Sequence, residues 1–555
     1  MNTIPFSVLH RTGHLEKIQN SIFDILIIGG GITGAGIALE AASRGLTVCL
    51  IEKNDFASGT SNKSTKLIHG GLRYLKQFEI GLVHESGTER AILNTLAPHL
   101  VVPEKMLLPL IEGGSYGKTL TSLGLMVYDF LADVNDDDKR KMLDKHKTLK
   151  KEPLLDDQFL LGGGYYTEYR TDDARLTIEI LKQAAGFGAT IINYCEMMSF
   201  NYTDSLIDNI ECVDHNSKER IIIKANHYVS ATGPWVDVIR KKDVSLNNKR
   251  LHLTKGVHIV FPYEKLPIKQ SIYFDVPDGR MVFAIPRGKT TYVGTTDTNY
   301  DGNLDHVVTT MSDVNYLLIA INGVFPTVNL TLDDVESNWA GLRPLIHEDG
   351  KDPSELSRKD EIFVSDSGLI SIAGGKLTGY RKMAHRVVET VLKTMPKEKK
   401  ELIKDSFTDT IPLVTPALKS SEDVVNYIDA LKKQLLDFGI TDTFYSTYLC
   451  STFGKNADIL LEKAKSYSFG TPKERLVRAE LWYCVHYEMT NTLADFFVRR
   501  TSSLYFNIKS ISKHLDVVVK DMTQYFNWDA DRITAEKAQL QQLVYDATHY
   551  YETEF

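Results

Sequence analysis

The sequence predicts an α/β fold in which a parallel-sheet unit is interleaved with an antiparallel-sheet unit, followed by an all-helical C-terminal domain. Three observations predict it. Ile22 to Glu52 reads as strand, glycine turn, helix and second strand in unbroken succession. Residues 251–298 read as short apolar strands separated by turn signals. Beyond residue ~405 the apolar spacing is helical and no glycine-rich loop remains.

The opening element is the most specific. Ile25-Leu26-Ile27-Ile28 is short and β-branched, as a buried parallel strand is. Gly29, Gly31 and Gly34 follow in the spacing G-x-G-x-x-G. The first permits the tight turn, the second lets backbone approach a pyrophosphate, and the third lets helix pack on strand. A diphosphate there meets the amides and the positive dipole end of the following helix. Glu52, closing the second strand, is placed to accept hydrogen bonds from a ribose. A glycine turn alone is weak. With strand, helix, second strand and acid in register the unit reads as Rossmann-like and dinucleotide-binding.

The elements that follow are less regular. Lys53–Leu75 is dense in Ser, Thr, Gly and Lys and ends in His69-Gly70-Gly71-Leu72-Arg73-Tyr74, where Arg73 offers a planar fork to an anion. Thr171 or Asp172 caps a helix expected to run to Gly186, and Asp173 and Arg175 read as structural rather than catalytic. Thr190–Ile192 is a strand, and the segments to Lys224 alternate like a small antiparallel sheet. His227–Trp235 ends an apolar strand in a small-residue turn that faces the first one. Leu369–Tyr380 repeats the opening logic, with a strand meeting Gly374-Gly375-Lys376-Leu377-Thr378 and a helix beginning at Arg381. Charged residues of the C-terminal domain, among them Glu488, Asp495, Arg499 and Arg500, are expected to fasten it to the rest by ion pairs.

A chain of 555 residues holds two or three domains with a large core. The net charge of −8 argues against a nucleic-acid binder and leaves room for a local basic pocket. Five cysteines, scattered and never in C-x-x-C, read as free thiols in a reducing compartment. No His/Cys spacing suits a metal. The first twenty residues lack a signal-peptide pattern, and no apolar run reaches the ~18 residues of a membrane span.

Taken together, the opening unit, SNKSTKLIHGGLRYL, SATGPWVD, KGVHIVFP, VGTTDT, AGLRPL, SRKDEI, AGGKLTGYR and DFFVRR occur in one order. That order resembles the bacterial FAD-dependent, aerobic-type glycerol-3-phosphate dehydrogenases, within the glycine-oxidase/D-amino-acid-oxidase-like flavoenzymes, from about residue 20 to the C-terminus. Residues 1–20 are expected to form an N-terminal tail, and the resemblance implies a discontinuous FAD-binding domain over 21–90, 170–250 and 361–395. It implies a substrate domain over 91–169 and 251–360, D-amino-acid-oxidase-like in architecture, and a helical cap domain over 400–555. FAD is the implied cofactor, held by Gly29, Gly31, Gly34, Glu52, Thr60, Ser61, Thr232, Gly233, Gly375, Lys376, Leu377 and Thr378. Arg73, Tyr74 and Arg358 are implied around the substrate phosphate, and His258, Arg343 and Lys376 around the reacting carbon.

The implied reaction is oxidation of sn-glycerol 3-phosphate to dihydroxyacetone phosphate, in glycerol catabolism, with electrons passed to a quinone. Such chemistry needs a base, and an imidazole with a pKa near 6.5 serves at neutral pH. Arg343 and Lys376 are cations suited to developing negative charge. Arg73 and Arg358 suit a phosphate dianion through forks that Lys does not reproduce. The alternative is an α-glycerophosphate oxidase that uses O₂ and releases H₂O₂; the insertion associated with those oxidases is not found here. A flavoprotein acting on RNA is disfavoured, since no Lys/Arg-rich block is present. The implied location is cytoplasmic, with a peripheral contact to the inner face of the cell membrane. Leu120–Leu131 is the most apolar surface candidate for that contact, against a core-helix reading. A homodimer is compatible with all of this and is not specified by it.

Overall fold

A computed structural model describes residues 5–69, 80–114, 140–246, 249–347 and 360–554. Its centre is a sheet whose strands run in the order Asp360–Val364, Leu369–Gly374, Arg220–Ser230, Ile22–Ile28, Val48–Ile51 and Thr190–Ile192. The last five are parallel, and the first pairs antiparallel at the edge. Ile25, Leu26 and Ile27 are wholly buried, because helices cover both faces of such a sheet. Helix Ile32–Ser43 packs against both Asp173–Gly186 and Tyr380–Thr394. Gly36 has no room for a Cβ, which would meet the Tyr380 ring at 2.7 Å. Asp172 caps the second of these helices by accepting from the Arg175 amide. As expected, Cys195–Thr203, Leu206–Asp214 and Arg220–Ser230 form a small antiparallel extension.

The second sheet runs in the order Thr298–Asn299, Leu251–Pro262, Thr290–Gly294, Met281–Arg287, Ser271–Asp275, Val102–Ile111, Leu160–Arg170 and Leu67–Ile68. Ser337–Ile346 also pairs with Leu251–Pro262, and Lys141–Asp144 with Leu160–Arg170. Nearly every ladder is antiparallel; Ser271–Asp275 beside Val102–Ile111 is the parallel exception. Along Leu251–Pro262 the side chains alternate. Val257, Ile259 and Phe261 pack with Val314, Leu317 and Ile321 of helix Met311–Val324. His258 points the other way, between Gly294 and Trp339.

Beyond residue 420 the chain is helical: Ser421–Asp437, Phe444–Phe453, Ala457–Ser466, Pro472–Tyr487, Lys509–Phe526 and Ala530–Thr548, with a π-helical turn at Asp495–Arg500. Thr471 and Glu474 form a capping box at the fourth helix. The expected ion-pair fastening is present. Arg175 donates to both oxygens of Glu488 at 2.7 and 2.8 Å, and all of these side chains are buried. Asp55 receives Arg499 Nε at 2.5 Å and both Arg500 Nη atoms at 2.7 and 2.9 Å.

The N-terminal segment is not a loose tail. Arg11–Asn20 is a helix. Arg11 pairs with Asp214 and donates to the Asn193 carbonyl at 2.7 Å, Ile18 is fully buried, and Ser7 Oγ donates to the Val485 carbonyl at 3.0 Å. Its partners lie ~180 and ~480 residues away, so no local pattern announced it. All five cysteines are free and buried. Among the described residues no helix is long and apolar enough to cross a membrane. Leu120–Leu131 lies outside the described residues.

Candidate active site

A continuous cleft runs from the first βα turn to the antiparallel sheet. Its walls carry Gly29, Gly31, Glu52, Thr60, Ser61, Thr232, Gly233, Gly375, Lys376, Leu377 and Thr378 at one end and along its length, and His258 and Arg343 at the other. Gly34 lies behind this wall. A Cβ on it would fall 1.9 Å from the Gly29 carbonyl oxygen, so it is the helix-to-strand contact the motif requires. Gly29 has φ +111°, and a Cβ there would come 2.6 Å from the Ala231 carbonyl oxygen.

Helix Ile32–Ser43 begins at Gly31, and its first amide, Ile32 N–H, donates to Ser61 Oγ at 2.9 Å. Ser61 therefore satisfies one amide of the helix's first turn from the neighbouring loop. Thr60 Oγ1 donates to the Leu342 carbonyl at 2.7 Å, tying that loop to the second sheet. Glu52 accepts from the amides of Gly30 at 2.7 Å and Asn54 at 2.9 Å, one on each oxygen. Each oxygen keeps a second lone pair for a ligand hydroxyl. Burial raises its pKa above the usual carboxylate value, opposed by those two amides. Gly374 and Gly375 both have positive φ, and a Cβ on Gly375 would meet Met383 Sδ at 2.4 Å. Lys376 stands immediately before the short helical turn Leu377–Gly379 that opens into helix Tyr380–Thr394.

At the far end, His258 is held on several sides. Its ring stacks on Trp339 with centroids 4.7 Å apart and an interplanar angle of 12°. Its Nε2 is 3.0 Å from Thr65 Oγ1, and its buried Nδ1 has no hydrogen-bond partner among the described residues. Gly294 has no side chain because a Cβ would land 2.2 Å from His258 Cδ2. Burial, then the charges of Arg343 and Lys66, hold the imidazole well below its usual pKa. The ring is therefore neutral at physiological pH, a stronger statement than the ordinary value of 6.5 allows.

Thr65 is presented by a loop that Asp173 pins. Asp173 accepts from Ser64 N at 3.0 Å, Ser64 Oγ at 2.7 Å and Lys66 Nζ at 2.5 Å. Asp173 and Arg175 thus make the packing contacts that a structural role calls for. Thr65, Trp339 and Gly294 were not singled out by sequence reasoning, although each lies in or beside a quoted motif. Arg73, Tyr74 and Arg358 lie outside the described residues.

The cleft suits an elongated dinucleotide. Glycines stand where Cβ atoms would collide, a helix terminus faces one end, and an acid sits one strand over. With a neutral imidazole and the Arg343 guanidinium at the other end, fold and site define a dinucleotide-dependent oxidoreductase. Residues 24–381 match the FAD dependent oxidoreductase family, and residues 408–533 match the C-terminal domain of alpha-glycerophosphate oxidase. The chain is 47% identical over 545 residues to the aerobic glycerol-3-phosphate dehydrogenase of Bacillus subtilis (strain 168), which covers 98% of each chain. It is likewise 47% identical over 540 residues, 97% of each, to that of Staphylococcus aureus (strain USA300). The glycerol-3-phosphate dehydrogenase from Bacillus halodurans, solved complexed with FAD, has a TM-score of 0.83 at 40% identity, covering 98% of this chain and 99% of that one. Glycine oxidase from Bacillus cereus ATCC 14579 shares the fold at a TM-score of 0.52 and 18% identity over 70% of this chain and 99% of that one. The chain belongs to the aerobic glycerol-3-phosphate dehydrogenases, within the FAD-dependent oxidoreductase family, and its cofactor is FAD.

Proposed function

We propose that this chain oxidises sn-glycerol 3-phosphate to dihydroxyacetone phosphate and passes the electrons to a quinone, as a step of glycerol catabolism. The observation that carries the reading is convergence: His258, Arg343 and Lys376, from three distant segments, line the cleft that also holds the dinucleotide turns. The family and the names of its relatives support the same substrate. FAD, when bound, supplies the acceptor for the hydride leaving carbon 2.

The residues of the chain supply the rest. The glycines at 29 and 31, with Ser61 and Glu52, hold the adenosine-diphosphate half. Thr60, Thr232, Gly233 and the turn Gly375–Thr378 hold the remainder. His258, neutral and buried, takes the proton from the substrate hydroxyl as that carbon loses its hydride, which leaves a ketone. Arg343 steadies the negative charge growing on the oxygen, and Lys376 the charge gained by the cofactor; such contacts are worth about 3–4 kcal/mol each. Arg73, Tyr74 and Arg358 anchor the phosphate. The parallel sheet is the core of the FAD-binding domain (21–90, 170–250, 361–395). The antiparallel sheet is the core of the substrate domain (91–169, 251–360), and 400–555 form the cap.

Anaerobic addition of glycerol 3-phosphate should bleach the visible flavin bands of the purified protein. Flavin that stays oxidised rejects the substrate. One observation favours a second reading, in which O₂ takes the electrons: the C-terminal match is to a domain of alpha-glycerophosphate oxidase. Peroxide yield measured against dye or quinone reduction separates the two. A quinone dissolved in the bilayer calls for a membrane contact, which we place peripherally at the inner face with the protein in the cytoplasm; liposome flotation tests that contact.

A further inference from the structure

Arg343 does not reach into the cleft unaided. Its Nη1 donates to Asp297 Oδ1 at 3.1 Å and to the Thr296 carbonyl at 3.1 Å, and its Nη2 donates to Thr295 Oγ1 at 2.8 Å. The guanidinium lies across Gly256, where a Cβ would sit 2.3 Å from Nη2 and 2.6 Å from Thr295 Oγ1. Three consecutive residues and one missing side chain thus build a seat for the cation. The loop that forms it follows Gly294, on which the His258 ring rests. One segment therefore sets the position of both groups.

We infer that Asp297 is the specificity-determining positioning residue for Arg343. By holding one edge of the guanidinium it directs the cation to the reacting carbon–oxygen group and away from the substrate phosphate. The inference rests on the reading of Arg343 given above. A phosphate dianion is the strongest anion to enter this site, and a guanidinium fork matches it in bidentate fashion. An arginine that swung to the phosphate would hold ground state and transition state equally, which lowers KM without raising kcat. A carboxylate already occupying one edge competes with that capture. It also keeps the cation where negative charge grows only as the hydride leaves, so its effect falls on the transition state. Asp297 also meets the charge of Arg280, itself bound to Asp278 at 2.8 and 2.5 Å.

The test is Asp297→Asn in the FAD-loaded full chain, with flavin content per chain confirming that the site has assembled. The expected result is a fall in kcat of roughly 10²-fold, the scale set by misplacement of a catalytic group. KM for glycerol 3-phosphate should stay level or fall, and inorganic phosphate should inhibit several-fold more tightly. Asp297→Glu should recover part of kcat, and Gly256→Ala, which displaces the same guanidinium by its Cβ, should reproduce the loss. A kcat within twofold of the wild type with unchanged phosphate inhibition overturns the inference, as does a raised KM with kcat intact. A wild-type flavin that glycerol 3-phosphate does not bleach removes the underlying reading instead. Bleaching in the wild type with an unaffected Asp297→Asn variant removes the role of Asp297 alone.

Discussion

His258 carries the sharpest consequences of single-residue geometry. A folded-state pKa below 6.5 means that the proton-accepting form persists as pH falls through 6.5 and is lost only at lower pH. The acidic limb of kcat/KM for the free enzyme should have its midpoint below 6.5, and His258→Ala should abolish that limb while lowering the rate ~10²–10⁴-fold. A limb that survives the substitution excludes His258 as the base. Gly34 makes a different demand. With its Cβ position 1.9 Å from the Gly29 oxygen, Gly34→Ala must push the helix off the strand, and the variant should purify without flavin. For Arg358, the sequence argument predicts that Arg358→Lys raises KM for glycerol 3-phosphate far more than it lowers kcat, read from steady-state kinetics.

Between elements, the contact that matters most joins the loop after Glu52 to the π-helical turn Asp495–Arg500. Burial alone would raise Asp55, but the charges of Arg500 and Arg499 outweigh it and hold the carboxyl at about 2. Its folded-state pKa therefore lies below its unfolded value near 3.9. The stabilisation is present in full above that value and is lost as pH falls from about 4 towards 2, roughly 2–3 kcal/mol in all. Asp55→Asn leaves two buried guanidinium groups without their shared partner and should cost about 3–5 kcal/mol in chemical denaturation at pH 7. The same substitution should flatten the loss of stability between pH 4 and 2. An acid profile that keeps the wild-type slope would mean that other carboxylates carry it.

Across the whole molecule, buried ion pairs join the loops and helix beside the FAD cleft to the helical domain. Asp55 lies three residues from Glu52, and Arg175, on the helix that opens with the loop-pinning Asp173, is locked to Glu488. FAD bound to the native state stabilises every contact that depends on that geometry. Saturating FAD should therefore slow amide exchange in Pro472–Tyr487 and Asp495–Arg500, which do not line the cleft. Unchanged exchange there would show that the domain is docked independently of the cofactor.

Much of this architecture is written in local pattern. The strand Ile22–Ile28, the glycine spacing, Glu52, the Asp172 cap, the strands of 251–298 and the helical C-terminal region follow from periods and turn chemistry that involve only neighbouring residues. His258, Arg343 and Lys376, proposed for the reacting end, lie in motifs legible in the sequence, and those motifs also point to the class of cofactor. Other features needed the tertiary structure. The helix Arg11–Asn20 has no amphipathic signal of its own and is held by Asp214, Asn193 and a buried isoleucine. The neutrality of His258 comes from burial and from two cations far away in sequence. The seat of Arg343 joins Gly256, residues 295–297 and Arg343 itself across two strand pairings. Long-range packing decides these, because desolvation and charge depend on which distant groups are brought together, and a linear period carries no record of that.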